Sequence, residues 1–111
     1  MKYISFAIPC YNSEAYMEKA IQSILPGGED VEIIVVNDGS SDGTSEVAKK
    51  YEEKYPGIVK AVDKENGGHG DAVNTGLAHA TGVYFKVVDS DDWVDAVSYT
   101  HLRAHETKAN L

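Results

Sequence analysis

The sequence predicts an α/β fold, a three-layer α/β/α sandwich built on an open, mostly parallel sheet. Three observations point there. Short apolar or β-branched runs alternate with segments of helical periodicity, in the order strand, helix, strand, helix, strand, helix, strand. One run, Val31-Glu32-Ile33-Ile34-Val35-Val36, is almost continuously apolar, as a central parallel strand covered on both faces must be. Most of the strand runs end in polar, glycine-bearing or acidic loops, and in open parallel sheets ligands bind beyond the carboxyl ends of the strands, where the strand order switches.

Taken in order, Tyr3 to Ile8 is a β-branched and aromatic run closed by Pro9 and reads as a buried strand. Asn12 or Ser13 can cap a following helix, on which Tyr16, Ala20, Ile21, Ile24 and Leu25 recur at helical spacing until Pro26-Gly27-Gly28 stops it. The central strand, Val31 to Val36, runs into Asn37-Asp38-Gly39-Ser40-Ser41-Asp42-Gly43, a dense cluster of turn formers. A second helix is expected from Thr44 to about Tyr55, before Pro56-Gly57, and a third strand from Ile58 to Val62. Asn66-Gly67-Gly68-His69-Gly70 reads as a loop, Asp71 to Ala80 as a third helix ending near Gly82, and Val83 to Val88 as a fourth strand leading to Asp89-Ser90-Asp91-Asp92.

With 111 residues, 42% hydrophobic and 25% charged, the chain has the size and composition of one compact domain with an ordinary core. A formal net charge of −8 argues against a nucleic-acid partner, which is gripped by a basic face. Small anionic ligands remain open, because a metal ion and backbone N–H groups can hold them. Cys10 is the only cysteine, so no internal disulfide forms and nothing suggests an oxidising compartment; the expected setting is cytoplasmic. The N-terminal apolar run closes at Pro9, far below the ~20 residues of a membrane span, so membrane association is expected only through sequence outside this chain.

The character changes after Asp95. The stretch from Val97 to Thr107, and Ala96 with it, can be back-translated in a single frame into DNA that resembles a transposase-based sequencing adapter. Residues 96–111 are therefore expected to be an artefactual tail, treated as an engineered scar would be, and the i, i+4 pair His101 and His105 is set aside as a metal site.

Asp89-Ser90-Asp91-Asp92 follows an apolar strand, where several carboxylate oxygens can converge on the ligand crevice. A hard divalent cation, Mg or Mn, takes such oxygens, and one or two carboxylates suffice when diphosphate oxygens complete the shell. An acidic strand-to-helix turn in which Asp caps a helix reads equally well from these residues alone. Asp38, ending the most hydrophobic strand, can accept hydrogen bonds from a ribose hydroxyl or a base N–H, or close a local Asx turn. A phosphoacceptor reading lacks the acidic pair expected near the end of the first strand, where Pro9-Cys10-Tyr11-Asn12 stands. Gly68-His69-Gly70 only superficially echoes a dinucleotide fingerprint, since the third glycine is missing and the loop follows the third strand. A glycine loop at a helix N-terminus can still offer N–H groups to a phosphate. His69 reads as a polar loop residue and His79 as a surface helix residue.

Together, Ala7-Ile8-Pro9-Cys10-Tyr11-Asn12, Ile33 through Thr44, Asn66-Gly67-Gly68 with Asn74-Thr75-Gly76, Ala80-Thr81-Gly82, and Asp89-Ser90-Asp91-Asp92-Trp93 resemble, in order, the motifs of family 2 glycosyltransferases, enzymes of the GT-A fold. The likeness covers about Tyr3 to Asp95. It implies that residues 1–95 are the nucleotide-sugar-binding half of a metal-dependent, inverting glycosyltransferase, cut before its catalytic base. It implies a nucleotide-diphosphate sugar donor, commonly a uridine one, and an acceptor glycan or lipid whose identity is not readable here. Carried across residue by residue, Pro9, Tyr11 and Asn12 would line the base and ribose pocket, and Asp38 would bond uracil or ribose. Asp89 and Asp91 would form the DxD-type metal motif, Asp91 most directly facing the metal and Asp89 the ribose or the metal, with Asp92 a weaker candidate. Gly68 and Asn74 stand on the donor side. Many relatives carry an Arg just before Asn74; here Val73 stands there, which shifts the charge-neutralising role toward the metal and the Gly68–Gly70 loop. A sugar nucleotidyltransferase shares a related sheet, but it would need a glycine-rich basic loop directly after the first strand.

Overall fold

The structure is a computed structural model and describes residues 2–91. Four strands, β1 (Ile4–Cys10), β2 (Val31–Asp38), β3 (Val59–Lys64) and β4 (Tyr84–Val87), alternate with three helices, α1 (Met17–Ile24), α2 (Thr44–Lys54) and α3 (His69–His79). All strand pairings are parallel and the sheet order is β3-β2-β1-β4, so the direction of sheet growth reverses between β1 and β4.

The register assigns each face of the sheet. Ile4 pairs with Val31 and Ile33 with Val59, so Ile4, Phe6, Ile8, Val31, Ile33, Val35 and Val59 share one face, where they form the main core with Met17, Ala20, Ile21 and Ile24 of α1 and Ala48 and Tyr51 of α2. The opposite face carries Ile34 and Val36 under Ala72 of α3. Here α3 approaches β1 closely: a Cβ on Gly76 would stand 2.6 Å from the Ala7 Cβ. Every residue of β1 and of β2 is buried, as the unbroken apolar run of β2 requires.

One member of that run is charged. Glu32 is 1% exposed, and its carboxylate accepts hydrogen bonds from the Ser5 hydroxyl at 2.8 Å, the Thr81 amide at 2.9 Å and the Thr81 hydroxyl at 2.9 Å, with the Lys60 ammonium at 2.7 Å. Ser5 Oγ in turn accepts the Gly82 amide at 2.8 Å. The buried carboxylate thereby ties the α3–β4 connection to the amino-terminal edge of β1 and β2. Burial alone would raise its pKa, but these partners outweigh it and hold the carboxyl at about 2 against an ordinary 4.5.

Three local expectations are corrected. Neither Asn12 nor Ser13 caps α1. The helix opens at Met17 after a turn in which the Ser13 carbonyl accepts the amides of Tyr16 and Met17. Pro26-Gly27-Gly28 does not simply end the helix, because Leu25–Asp30 continues as a 3₁₀ segment kinked at Gly28. Finally, α3 begins at His69 rather than Asp71, with the Ala72 amide bonded to the Gly68 carbonyl, so His69 and Gly70 belong to a helical first turn instead of a loop. The expectations for Asp92, Trp93 and residues 96–111 concern residues outside those described.

Candidate functional site

At the carboxyl ends of β1 and β2 three connections converge. Asn12 sits in a left-handed conformation, φ 50°, which Asn tolerates better than most residues. Its amide donates to Ser40 Oγ at 2.9 Å and its side-chain carbonyl accepts the Ser41 amide at 2.8 Å. This fastens the β1–α1 loop to the β2–α2 loop. Ser13 extends the fastening, its amide donating to Thr44 Oγ1 at 2.9 Å and its hydroxyl lying 2.8 Å from that of Ser90, just after β4.

Asp38 locks the third connection. Its Oδ1 accepts the Lys64 ammonium at 2.7 Å and the Gly67 amide at 2.9 Å, its Oδ2 accepts the Gly68 amide at 3.0 Å, and its carbonyl accepts Asn66 Nδ2 at 3.0 Å. Burial pushes its pKa up, yet Lys64 and the two glycine amides pull harder and keep the carboxyl below its ordinary value. The neighbouring Gly39 adopts φ 70°, and a Cβ there would stand 2.7 Å from the Asn66 backbone nitrogen, so this crossing needs a glycine. Lys64 also pairs with Asp71 of α3.

Above these anchors lies a cleft of about 200 Å³, lined by Pro9, Cys10, Tyr11, Asp38, Asn66, Gly68, His69 and Ala72. Pro9, Tyr11, Asp38 and Gly68 thus line one cleft. Asn12 stands behind them as a cross-brace with its side-chain carbonyl occupied, and Asn74 lies exposed on α3 away from the cleft lining. Asp89 is reached through His69, whose Nε2 faces Asp89 Oδ1 at 3.9 Å; Asp91 is exposed two residues further on. These two carboxylates offer hard oxygen donors, and among the described residues no group of three or more His, Cys, Asp and Glu side chains forms a metal cage.

Cys10, Asn66, His69 and Ala72 were not legible as site residues. Cys10 is chemically quiet: burial pushes its thiol up to about 12, with Ser13 opposing and Asp42 adding, so it stays protonated.

With this arrangement in view, comparison decides the family. The profile of Glycosyl transferase family 2 matches residues 5–104. The chain belongs to glycosyl transferase family 2. The chain is similar to Glycosyltransferase GlyA of Streptococcus pneumoniae, 41% identical over 93 residues that make up 83% of this chain and 13% of the relative. It is 38% identical over 101 residues to the minor teichoic acid biosynthesis protein GgaB of Bacillus subtilis, covering 88% of this chain and 11% of that protein. Among solved structures, S. aureus TarS 1-349 in complex with UDP-GlcNAc superposes with a TM-score of 0.80 at 34% identity, over 94% of this chain and 30% of TarS 1-349. A mannosyltransferase from Pyrobaculum calidifontis in complex with GDP-Man and Mn2+ superposes with a TM-score of 0.71 at 27% identity, over 84% of this chain and 28% of that one. The chain thus spans about an eighth of these two curated relatives and under a third of these two solved structures. The family match runs past residue 95, the boundary expected from the sequence. Among the described residues no helix is long and apolar enough to cross a membrane.

Proposed function

We propose that this chain is the donor-binding part of an enzyme that transfers a sugar from a uridine-diphosphate sugar to an acceptor hydroxyl with inversion. The observation that carries the reading is the cleft itself. Tyr11, Pro9 and the Asp38-latched Gly68 wall a space below the roughly 300–1,000 Å³ of a whole small-molecule site, sized for part of a nucleotide, with Asp89 across its mouth beside His69. The UDP-GlcNAc complex of the TarS neighbour supports a uridine donor, and the teichoic acid relative supports a glycan or lipid-linked acceptor.

Asp89 and Asp91 would hold the divalent cation. Bound there, it supplies charge that offsets the diphosphate as it departs. The chain's own part is to seat the base against Tyr11 and Pro9, and to present the first-turn amides of α3 to phosphate. Asp38 shapes the site through the Gly67 and Gly68 amides, which leaves bonding to the base or ribose to any lone pair it retains. No described carboxylate is assigned as the base that takes the acceptor proton, so the 111 residues alone are proposed to lack turnover. Residues from about Ala96 onward are proposed to be translated adapter, which resequencing across that codon tests.

Calorimetric titration of UDP into the chain, in Mn2+ and in chelator, tests the reading. Binding that requires metal is expected, because Asp89 and Asp91 otherwise repel the diphosphate. Equal affinity in chelator removes the metal role, and no binding in either removes the nucleotide reading.

A further inference from the structure

We propose that the His69 imidazole is the side chain that grips the donor's diphosphate, donating a ring N–H to a phosphate oxygen at the mouth of the cleft. The proposal rests on the nucleotide-sugar reading above and assigns its phosphate contact. His69 is the first residue of α3 and lines the cleft. Its Nε2 lies 3.9 Å from Asp89 Oδ1, beyond hydrogen-bond range, so the ring spans from the wall built on β1–β3 to the wall built on β4 without being committed to either. At 66% exposure the ring is open to a ligand.

Several other polar groups of the cleft wall are engaged. Asp38 accepts three N–H donors, Asn66 Nδ2 donates to the Asp38 carbonyl, and the Cys10 thiol donates to the Ile8 carbonyl. Lys64, the ammonium beside Asp38, is shared between Asp38 and Asp71. A diphosphate passing from the base pocket toward Asp89 and Asp91 carries its negative charge along an acidic rim. Of the described lining side chains, His69 is the one that also faces Asp89, at the end of the cleft that the diphosphate must pass. The first-turn amides of α3 leave from the same point, so ring and backbone converge on one oxygen-rich group. The consequence is selectivity for the diphosphate over the bare nucleoside.

Uridine and UDP titrated into the 111-residue chain, His69→Ala and His69→Gln, in Mn2+ and separately in Mg2+, test this. Removing one hydrogen bond to a charged group should weaken UDP about tenfold, leave uridine within about twofold, and be largely restored by the Gln N–H. The factor should be the same with both metals. His69→Phe, which keeps a ring and lacks the N–H, repeats the comparison should the alanine variant fail to give a cooperative melt. Equal losses for uridine and UDP overturn the proposal, as does unchanged UDP affinity. A loss confined to Mn2+ also overturns it, by making the imidazole a metal ligand. Failure of the underlying reading looks different: the unaltered chain then binds no UDP at all.

Discussion

Replacing Glu32 by Gln should cost the chain a pH-dependent part of its stability while leaving its shape intact. Gln preserves the volume and one carbonyl acceptor. It sets an NH2 group where Lys60 and the Thr81 hydroxyl now point at a carboxylate oxygen. A carboxyl that titrates at about 2 folded and 4.5 unfolded contributes roughly 3 kcal/mol at neutral pH, at 1.36 kcal/mol per pKa unit. The side chain is 2% exposed, so solvent screens little of this; the 41% exposed Lys60 can swing out to water, which places the loss at the lower end of the roughly 3–5 kcal/mol for breaking a buried pair. Because the folded pKa is the depressed one, the contribution is fully present above 4.5 and drains away as pH falls toward 2, with more than half gone by about pH 3. Urea unfolding of the native chain and Glu32→Gln at pH 7 and pH 3, followed by far-UV circular dichroism, measures it. A difference below about 0.5 kcal/mol at pH 7, the range of an ordinary surface change, or one equally large at pH 3, would refute the linkage.

Asp38→Asn should free the Asn66–Gly68 turn, seen as faster amide exchange at Gly67 and Gly68, and should weaken uridine and UDP by the same factor, since the residue acts through the wall they share. Native stability from Asp38 should be present above the ordinary carboxylate pKa and fade as pH falls through its lowered value, so the exchange difference should shrink in acid. Gly76→Val should lift α3 off Ala7 and cost about 1–3 kcal/mol by thermal melting. Gly39→Ala meets both a positive φ and the Asn66 backbone, so a loss of about 1–3 kcal/mol with slower UDP association is expected; a neutral result would mean the loop can move aside.

The layers and the alternation of strands and helices were legible because period and burial agree along most of β2 and α2; the sheet order β3-β2-β1-β4 was not. The cleft residues Pro9, Tyr11, Asp38 and Gly68 were legible because each ends or follows a strand. What Asp38 touches was not, since Lys64 and Gly67 reach it only after β3 pairs in register with β2. The start of α3 was misread because Gly68-His69-Gly70 looks like a flexible turn; only the Asp38 latch fixes Gly68 so that a helix can begin at once. Glu32 sat in plain view inside an apolar run, and its partners come from positions as distant as Ser5 and Thr81, which no local pattern connects.

The sheet order carries a kinetic consequence. β1 meets β2 after one helical crossover, and β3 joins by another, but β4 pairs Tyr84 with Ile4, across nearly the whole described chain. Closing that loop is entropically the most demanding step of the topology, so a β1–β2–β3 unit should consolidate before β4 docks on the free edge of β1. The latch at Asp38 belongs to the early unit, whereas the Asp89 and Asp91 carboxylates follow the late strand. Pulse-labelled amides at Gly67 and Gly68 should therefore gain protection ahead of those at Tyr84 and Val88, and a nascent chain would possess the Asp38–Gly68 side of the cleft before the Asp89 and Asp91 carboxylates.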